Sequence, residues 1–395
     1  MRSAKLLEDK MLGFGKVFGS VCVAAALTLC ACGTGSDVST PAPPDYTDVR
    51  TILQRLTGAG GAPGVLLAVR DARGRTVLTS GVANIETHAP IAGDSRFRIG
   101  SMTKMFVATV VLQLVAERRV VLDAPVEQYL PGVISGNGND GRDITVRQLL
   151  QHTSGLPDYL EYLSLGEVLT DPVAHHDPLE LVQIALAHPR LFAPGTGWQY
   201  SSTNYVLAGM LIEQVTDRPY EQEIEQRVIG PLGLHDTFVP GDESAIPGTH
   251  PQGYAEPEGS LIDTTEVNPS IAGASGAMIS SAADLDRFLD ALVNGGLLRP
   301  SELQAMMTTH PTGSSSGSTY GLGLESSSLP CGGVYWGHDG GILGFQTLGG
   351  VTTDGRSVTV MANLYPGGSD AQAGADMRTA LTTALCASTP SKPKP

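Results

Sequence analysis

The stretch Arg98-Ile99-Gly100-Ser101-Met102-Thr103-Lys104-Met105-Phe106-Val107-Ala108-Thr109-Val110-Val111-Leu112-Gln113-Leu114-Val115-Ala116-Glu117 governs the reading of the rest of the chain. From Ser101 to Arg118 apolar residues fall on nearly every side of a helix, so the pattern predicts a helix buried on most faces. A helix so buried sits at the centre of a protein, and its first turn can line the floor of a cleft. Ser101 and Lys104 share that turn. Positions i and i+3 are neighbours on one helix face, which brings the Lys104 amine within reach of the Ser101 hydroxyl. A serine hydroxyl is a weak nucleophile until an adjacent group takes its proton or stabilises the alkoxide.

On either side of this helix the periodicity changes. Pro63 to Val82 reads as a hairpin, GVLLAVR and RTVLTSGV joined by the turn Asp71-Ala72-Arg73-Gly74. Thr145-Val146-Arg147-Gln148 is a capping-box pattern that opens a helix running into LLQHTSGL. Asp177 to Ala187 and Asn204 to Thr216 are further helices, separated by the loop PGTGWQYSS. Ser281-Ala282-Ala283-Asp284 caps a helix through Leu292 that stops at Asn294-Gly295-Gly296. Strand-like runs return at YGLGLE, GGVYWG, FQTLGGV and RSVTVMANL, with turn signals at Gly340-Gly341 and Asp354-Gly355, and Met377 to Cys386 closes the chain as a helix. Strands therefore occur at both ends and helices fill the middle. The expected fold is α/β in the α+β three-layer sense: an antiparallel sheet, from about 48–98 and 268–388, flanked by helices, with a helical region inserted at about 99–267. No repeat is visible.

The Ser-x-x-Lys pattern is cheap in itself, since Ser391-Lys392-Pro393-Lys394 also fits it. The distribution of lysine lifts the first match. Lysine occurs at 5, 10, 16, 104, 392 and 394 and nowhere else, so every other cation across the predicted folded region is arginine. A guanidinium keeps its proton at working pH, whereas a buried amine can exchange one. The plainer alternative for a lone buried lysine is a structural ion pair.

The 395 residues suffice for one large domain or two intimate ones. A hydrophobic content of 41% with 16% charged residues is ordinary for a globular protein, and the net charge of −15 argues against nucleic acid or an anionic membrane surface as partner. Arg2, Lys5, Lys10 and Lys16 precede an apolar run from Val17 to Leu29, too short to span a bilayer as a helix. The run ends in Leu29-Cys30-Ala31-Cys32-Gly33, which resembles the lipobox of bacterial lipoproteins, with Cys32 lipidated and residues 1–31 removed. Plain secretion without a lipid is the alternative, and Met11 is a second possible start. Loss of residues 1–31 would bring the net charge to −17. Residues 32–47 read as a flexible tether, 48–388 as the catalytic domain and 389–395 as a disordered tail. With Cys22, Cys30 and Cys32 in the export signal, an oxidising compartment favours a disulfide between Cys331 and Cys386; two buried thiols are the alternative.

The chain resembles the family of class C serine β-lactamases and the related DD-carboxypeptidases and esterases, over roughly Asp45 to Ser388. Ser101-x-x-Lys104 matches its first motif, Tyr200-Ser201-Ser202 its Tyr-x-Asn and His338-Asp339-Gly340 its Lys/His-x-Gly, and LLQHTSGL is similar to a further family stretch. The resemblance implies a β-lactamase/transpeptidase-like fold, an acyl-enzyme on Ser101, and Tyr200 as general base. The Lys104 charge is expected to lower the tyrosine's pKa from its usual value of about 10. It also implies an oxyanion hole from the amides of Ser101 and Gly341, and places His338 on an edge strand where it closes the far wall. Ser202, Asp339 and Gly340 fall at substrate-binding positions. Ser202 stands where the motif has Asn, and Asp339 where β-lactamases carry Thr. An inward-facing Asp339, with no basic residue from Leu324 to Gly337, disfavours a substrate carboxylate and hence efficient β-lactamase activity.

No Gly-x-Ser-x-Gly elbow, His-Glu-x-x-His pattern or phosphate-binding glycine loop appears, so no metal or organic cofactor is expected. His175-His176 reads as a solvated loop pair, and His152 as hydrogen-bonded within its own loop. The expectation is a serine hydrolase of the bacterial cell envelope, held to the outer face of the cytoplasmic membrane by its lipid alone. Its partner would be a small-molecule or peptide acyl substrate, such as a cell-wall D-alanyl peptide or a carboxylic ester. The rival reading is a non-catalytic lipoprotein that uses the same cleft to bind wall fragments or a protein partner.

Overall fold

The computed structural model describes residues 44–314, 317–367 and 370–387. The lipobox, Cys32, most of the tether, the Ser391–Lys394 pattern and the tail lie outside the described residues.

The first element is a helix, α1 (Thr47–Leu56), where the sequence places the start of the sheet region at about 48. Val49, Ile52, Leu53 and Leu56 recur at helical spacing and are its buried face. The predicted hairpin follows as β1 (Gly64–Asp71) and β2 (Gly74–Gly81), paired in register from Gly64↔Gly81 to Asp71↔Gly74. Beyond it a short strand, Arg96–Arg98, pairs with Ile279–Ser281, and the central helix α2 (Thr103–Ala116) begins. All of α2's residues from Thr103 to Leu112, with Leu114, are buried. Ser101 itself lies on a 3-10 turn, Gly100–Met102, that feeds this helix.

The inserted region carries α3 (Val146–Leu150), α4 (Pro178–Leu186) and α5 (Thr203–Thr216). The Thr145 capping box is formed on both sides, but α3 ends before His152 instead of running through it. Ser281 caps α6 (Ala282–Val293) by accepting from the Asp284 amide. The chain then returns to the sheet as β3 (Glu325–Ser328), β4 (Val334–Ile342), β5 (Phe345–Val351) and β6 (Ser357–Ala362), and closes with α7 (Asp370–Ala387).

The sheet is antiparallel, in the order β2-β1-β6-β5-β4-β3, continued by the short strands Thr319–Tyr320 and His310–Pro311. The N-terminal hairpin pairs with the C-terminal strand, from Val65↔Ala362 to Arg70↔Ser357, so both ends of the chain build one sheet as expected. One apolar core carries α2, α5 and α6 with the sheet face that holds Leu66 and Met361. A second core sits between the opposite face, with Leu67 and Val360, and the helices α1 and α7. Cys331 and Cys386 form a disulfide between the loop before β4 and the end of α7.

Three details depart from expectation. Gly340-Gly341 is not a turn but the interior of β4; the reversal is at Leu343-Gly344. The run YGLGLE is broken between two short strands. Finally, β4 is an interior strand, not an edge, because β3 pairs with it at Val334–Gly337. That pairing stops at Gly337, so His338 to Ile342 have a strand neighbour only in β5.

Candidate active site

Ser101 is placed by a backbone contact that excludes side chains. Gly100 has φ +52°, and a Cβ there would come 2.8 Å from the Gly341 amide nitrogen. A Cβ on Gly340 would fall 2.1 Å from the Ile99 carbonyl oxygen. The Thr347 hydroxyl donates to that same carbonyl at 2.9 Å, and the turn is held on the strand. Sequence reasoning assigned this glycine pair to a turn, whereas its physical reason is close approach.

One turn on, Lys104 is fully buried, with Nζ 3.0 Å from the Ser101 hydroxyl oxygen. It donates to the Ser275 carbonyl at 2.8 Å and lies 3.5 Å from the Ser202 hydroxyl. Burial drives its pKa down to about 7, only partly opposed by the charges of Asp158 and Asp339. Near neutral pH the amine is therefore uncharged in about half of the molecules, and in that form it has two N–H groups for Ser275 and Ser202 and a lone pair for the Ser101 O–H.

Tyr200 faces this amine, its ring centroid 4.8 Å from Nζ. The expected lowering of its pKa does not occur. Tyr200 is half-buried with its phenol oxygen inaccessible, and this burial raises its pKa well above the usual value, with the charges of Asp339 and Asp158 adding to the rise. Lys104, itself uncharged in about half of the molecules near pH 7, does not reverse this. The phenol oxygen has no hydrogen-bond partner in the structure, although Ser101 is near enough to favour its ionised form. Ser202 is buried beside Lys104; burial raises the pKa of Asp158, a carboxylate absent from the sequence-based candidates, and the Ser202 amide and hydroxyl oppose that rise only in part. The only signal of Asp158 was its position just after the LLQHTSGL stretch.

On β4, His338 does not present a hydrogen-bonding group to the cleft. It is buried, its Nε2 is 2.8 Å from the Tyr320 hydroxyl and its Nδ1 2.5 Å from the Asp339 carbonyl oxygen. Burial lowers its pKa to about 4, so the neutral ring donates from Nδ1–H and accepts from Tyr320 at Nε2. Asp339 is half-exposed at the free edge of the strand, 3.6 Å from His338 Nδ1. Gly341 is opposite Gln346 and next to the closing pair Ile342↔Phe345 of a two-residue hairpin. Bonded and non-bonded pairs alternate, so with Ile342 and Phe345 bonded, the Gly341 N–H points away from β5 into the unpaired edge facing the Ser101 turn. Ser101 sits at the start of its helix, where amides lack an intrahelical acceptor. Two backbone donors thus border the nucleophile.

His152 departs from the reading that kept it within its own loop: its ring accepts from the Ser201 amide and the Asn204 side chain. His175 is exposed and pairs with Asp242 at 2.7 Å. Among the described residues no group of His, Cys, Asp or Glu is arranged to hold a metal ion, and no helix is long and apolar enough to cross a membrane.

A family model described as Beta-lactamase matches residues 49–382. Among solved structures, a D-stereospecific amidohydrolase from Streptomyces sp. is 44% identical with a TM-score of 0.78, the match covering 84% of this chain and 97% of that one. The D-amino acid amidase from Ochrobactrum anthropi SV3, complexed with D-phenylalanine, is 28% identical with a TM-score of 0.72, over 84% of this chain and 97% of that one. Esterase EstB from Burkholderia gladioli is 35% identical over 188 residues, which is 45% of this chain and 47% of the esterase, so the match spans about half of that relative. With the motifs in family order and the match running from α1 to α7, the chain belongs to the beta-lactamase family, within the serine hydrolases.

Proposed function

We propose that this protein hydrolyses the amide or ester of an amino acid whose amino group is free, through an acyl-enzyme on Ser101. The observation that carries the reading is the buried Lys104 amine, 3.0 Å from the Ser101 hydroxyl and with its pKa lowered to about 7, so that a substantial neutral fraction can accept the serine proton at physiological pH. Ser101 Oγ adds to the substrate carbonyl while its proton passes to Lys104 Nζ. The carbonyl oxygen becomes an oxyanion held by the Ser101 and Gly341 amides, a donor of this kind being worth about 3 kcal/mol. The tetrahedral adduct collapses as the leaving amine or alcohol takes a proton from Lys104, relayed by the neutral Tyr200 phenol. Water then adds to the acyl-enzyme carbonyl and gives its proton to the same amine; the Ser101 Oγ–acyl bond breaks, Oγ takes that proton back from Lys104, and the acid leaves.

The charge around the cleft supports a cationic substrate. Asp158 and Asp339 both act on Lys104, and β3 and the loop before β4 carry no basic residue. Arg378 on α7 is taken up by Tyr335, Asp339 and Glu325. A peptide ending in D-alanine would bring a carboxylate to these acids, which speaks against a carboxypeptidase. The names of the amidohydrolase and amidase relatives support a D-amino-acid derivative. Export, with lipid attachment through Cys32, belongs to the proposal on the sequence of residues 1–32 alone.

The test compares D-phenylalanine amide, its L-enantiomer, N-acetyl-D-phenylalanine amide and a D-alanyl-D-alanine peptide, each with wild type and Ser101→Ala. Turnover of the free-amine D-amide that vanishes in Ser101→Ala is expected, with the N-acetylated compound and the peptide much poorer. Equal rates for wild type and Ser101→Ala would replace the enzyme by a binding protein. Preference for the peptide would overturn the substrate class.

A further inference from the structure

We propose that His152 is a positioning residue for Tyr200, which it fixes by gripping the backbone on both sides of it. The inference rests on the function proposed above. His152 is fully buried at the end of α3, in the left-handed region with φ +62°. Residues other than glycine and asparagine adopt that conformation at a cost, and keep it where the surroundings demand it. Here the demand is visible. The His152 carbonyl accepts from the Gln199 amide at 3.1 Å, and its ring Nδ1 accepts from the Ser201 amide at 3.2 Å. Tyr200 lies between the two held amides, and its ring packs on the imidazole with centroids 4.3 Å apart.

The network continues outward. Asn204 on α5 donates from Nδ2 to the same Nδ1 at 3.1 Å, and its Oδ1 accepts from Ser154 at 2.7 Å. Two donors on Nδ1 leave the ring proton on Nε2, whose nitrogen is buried without a partner. Tyr205 and Tyr320 complete the cage at 5.4 and 4.7 Å between centroids. A neutral imidazole packed on the Tyr200 ring thus accepts from the Tyr-x-Ser loop, which the Pro157 carbonyl and Asp158 also hold.

Two substitutions separate the backbone from the ring. Asparagine and glycine both tolerate the left-handed conformation, and only asparagine can place an oxygen near the Nδ1 position. His152→Gly is expected to lower kcat, per active site titrated with a fluorophosphonate, by roughly 100-fold with KM little changed, the scale of a displaced catalytic group. The rate of Ser101 phosphonylation, which needs no substrate pocket, falls in parallel. His152→Asn is expected to recover most of both losses. Should the glycine variant be too unstable to assay, His152→Leu fills the ring's volume without an acceptor and serves the same comparison. Per-site rates equal to wild type in the variants without an acceptor, or an equal loss in asparagine and glycine, would overturn the proposal. Wild-type turnover that survives Ser101→Ala is checked first, since it removes the catalytic reading itself.

Discussion

Lys104 changes its chemistry because of where it is packed. In water its amine would be charged at pH 7; inside the core, between Tyr200 and Tyr205, the charged form loses its hydration and the pKa falls to about 7. The groups that act on it are Asp158, Asp339, His152 and His338. Both histidines have pKa values lowered by burial, to about 4 for His338 and well below the usual imidazole value for His152. Acylation is therefore expected to rise with pH along a limb centred near 7, as Lys104 loses its proton, while Glu325, whose pKa burial raises to about 8 beside Asp339, adds negative charge at the upper end of the profile. Lys104→Arg should abolish the limb and lower kcat/KM by about 10³-fold, since a guanidinium cannot accept the serine proton. A pH–rate profile from 5 to 9 checks both. The Ser101–Lys104 pairing was legible in the sequence because it follows from helix geometry alone. The ionisation of Tyr200 was not, because desolvation is set by residues far away in the chain. The same holds for Asp158, which reaches the site through the fold of its loop.

At the scale of elements, capping and periodicity served well where the signal is local. The Thr145 box, the Ser281 cap and the Asp71–Gly74 turn are present as read. The glycine pair of β4 was misread because turn propensity and close approach use the same residue. The turn that feeds helix α2 and strand β4 meet through bare backbone at Gly100, Gly340 and Gly341, and this contact brings Ser101 to the Gly341 amide. Gly100→Ala puts a methyl group 2.8 Å from that amide, at a φ that disfavours any side chain. The expected result is a loss of roughly 100-fold in kcat/KM, the cost of misplacing catalytic groups by an ångström, with near-native circular dichroism. Wild-type activity in this variant would mean that the contact does not set the oxyanion geometry.

Across the whole molecule, the closure of one sheet from both chain ends was legible because strands flank a helical middle in the sequence. The burial of particular charges within that frame was not. Asp286, on α6 against the sheet, is buried near Arg75, and burial raises its pKa to about 7. An acid whose folded pKa exceeds its unfolded value holds its proton longer when folded, so stability falls as pH rises from about 4 to about 7. Asp286→Asn should then unfold at higher urea than wild type at pH 8, by roughly 2–4 kcal/mol, with the gain shrinking towards pH 4. A midpoint unchanged at pH 8 would show that Arg75 compensates the charge. The composition of the chain also allows a direct test of the chemistry. Lysine occurs at only six positions, and Lys104 is the sole one among the described residues. NMR titration of protein labelled with ¹³Cε-lysine should show one resonance moving near pH 7, absent in Lys104→Met. If every lysine resonance, Lys104 included, titrates near 10, the amine beside Ser101 is charged in the resting enzyme, and the mechanism argued here is contradicted.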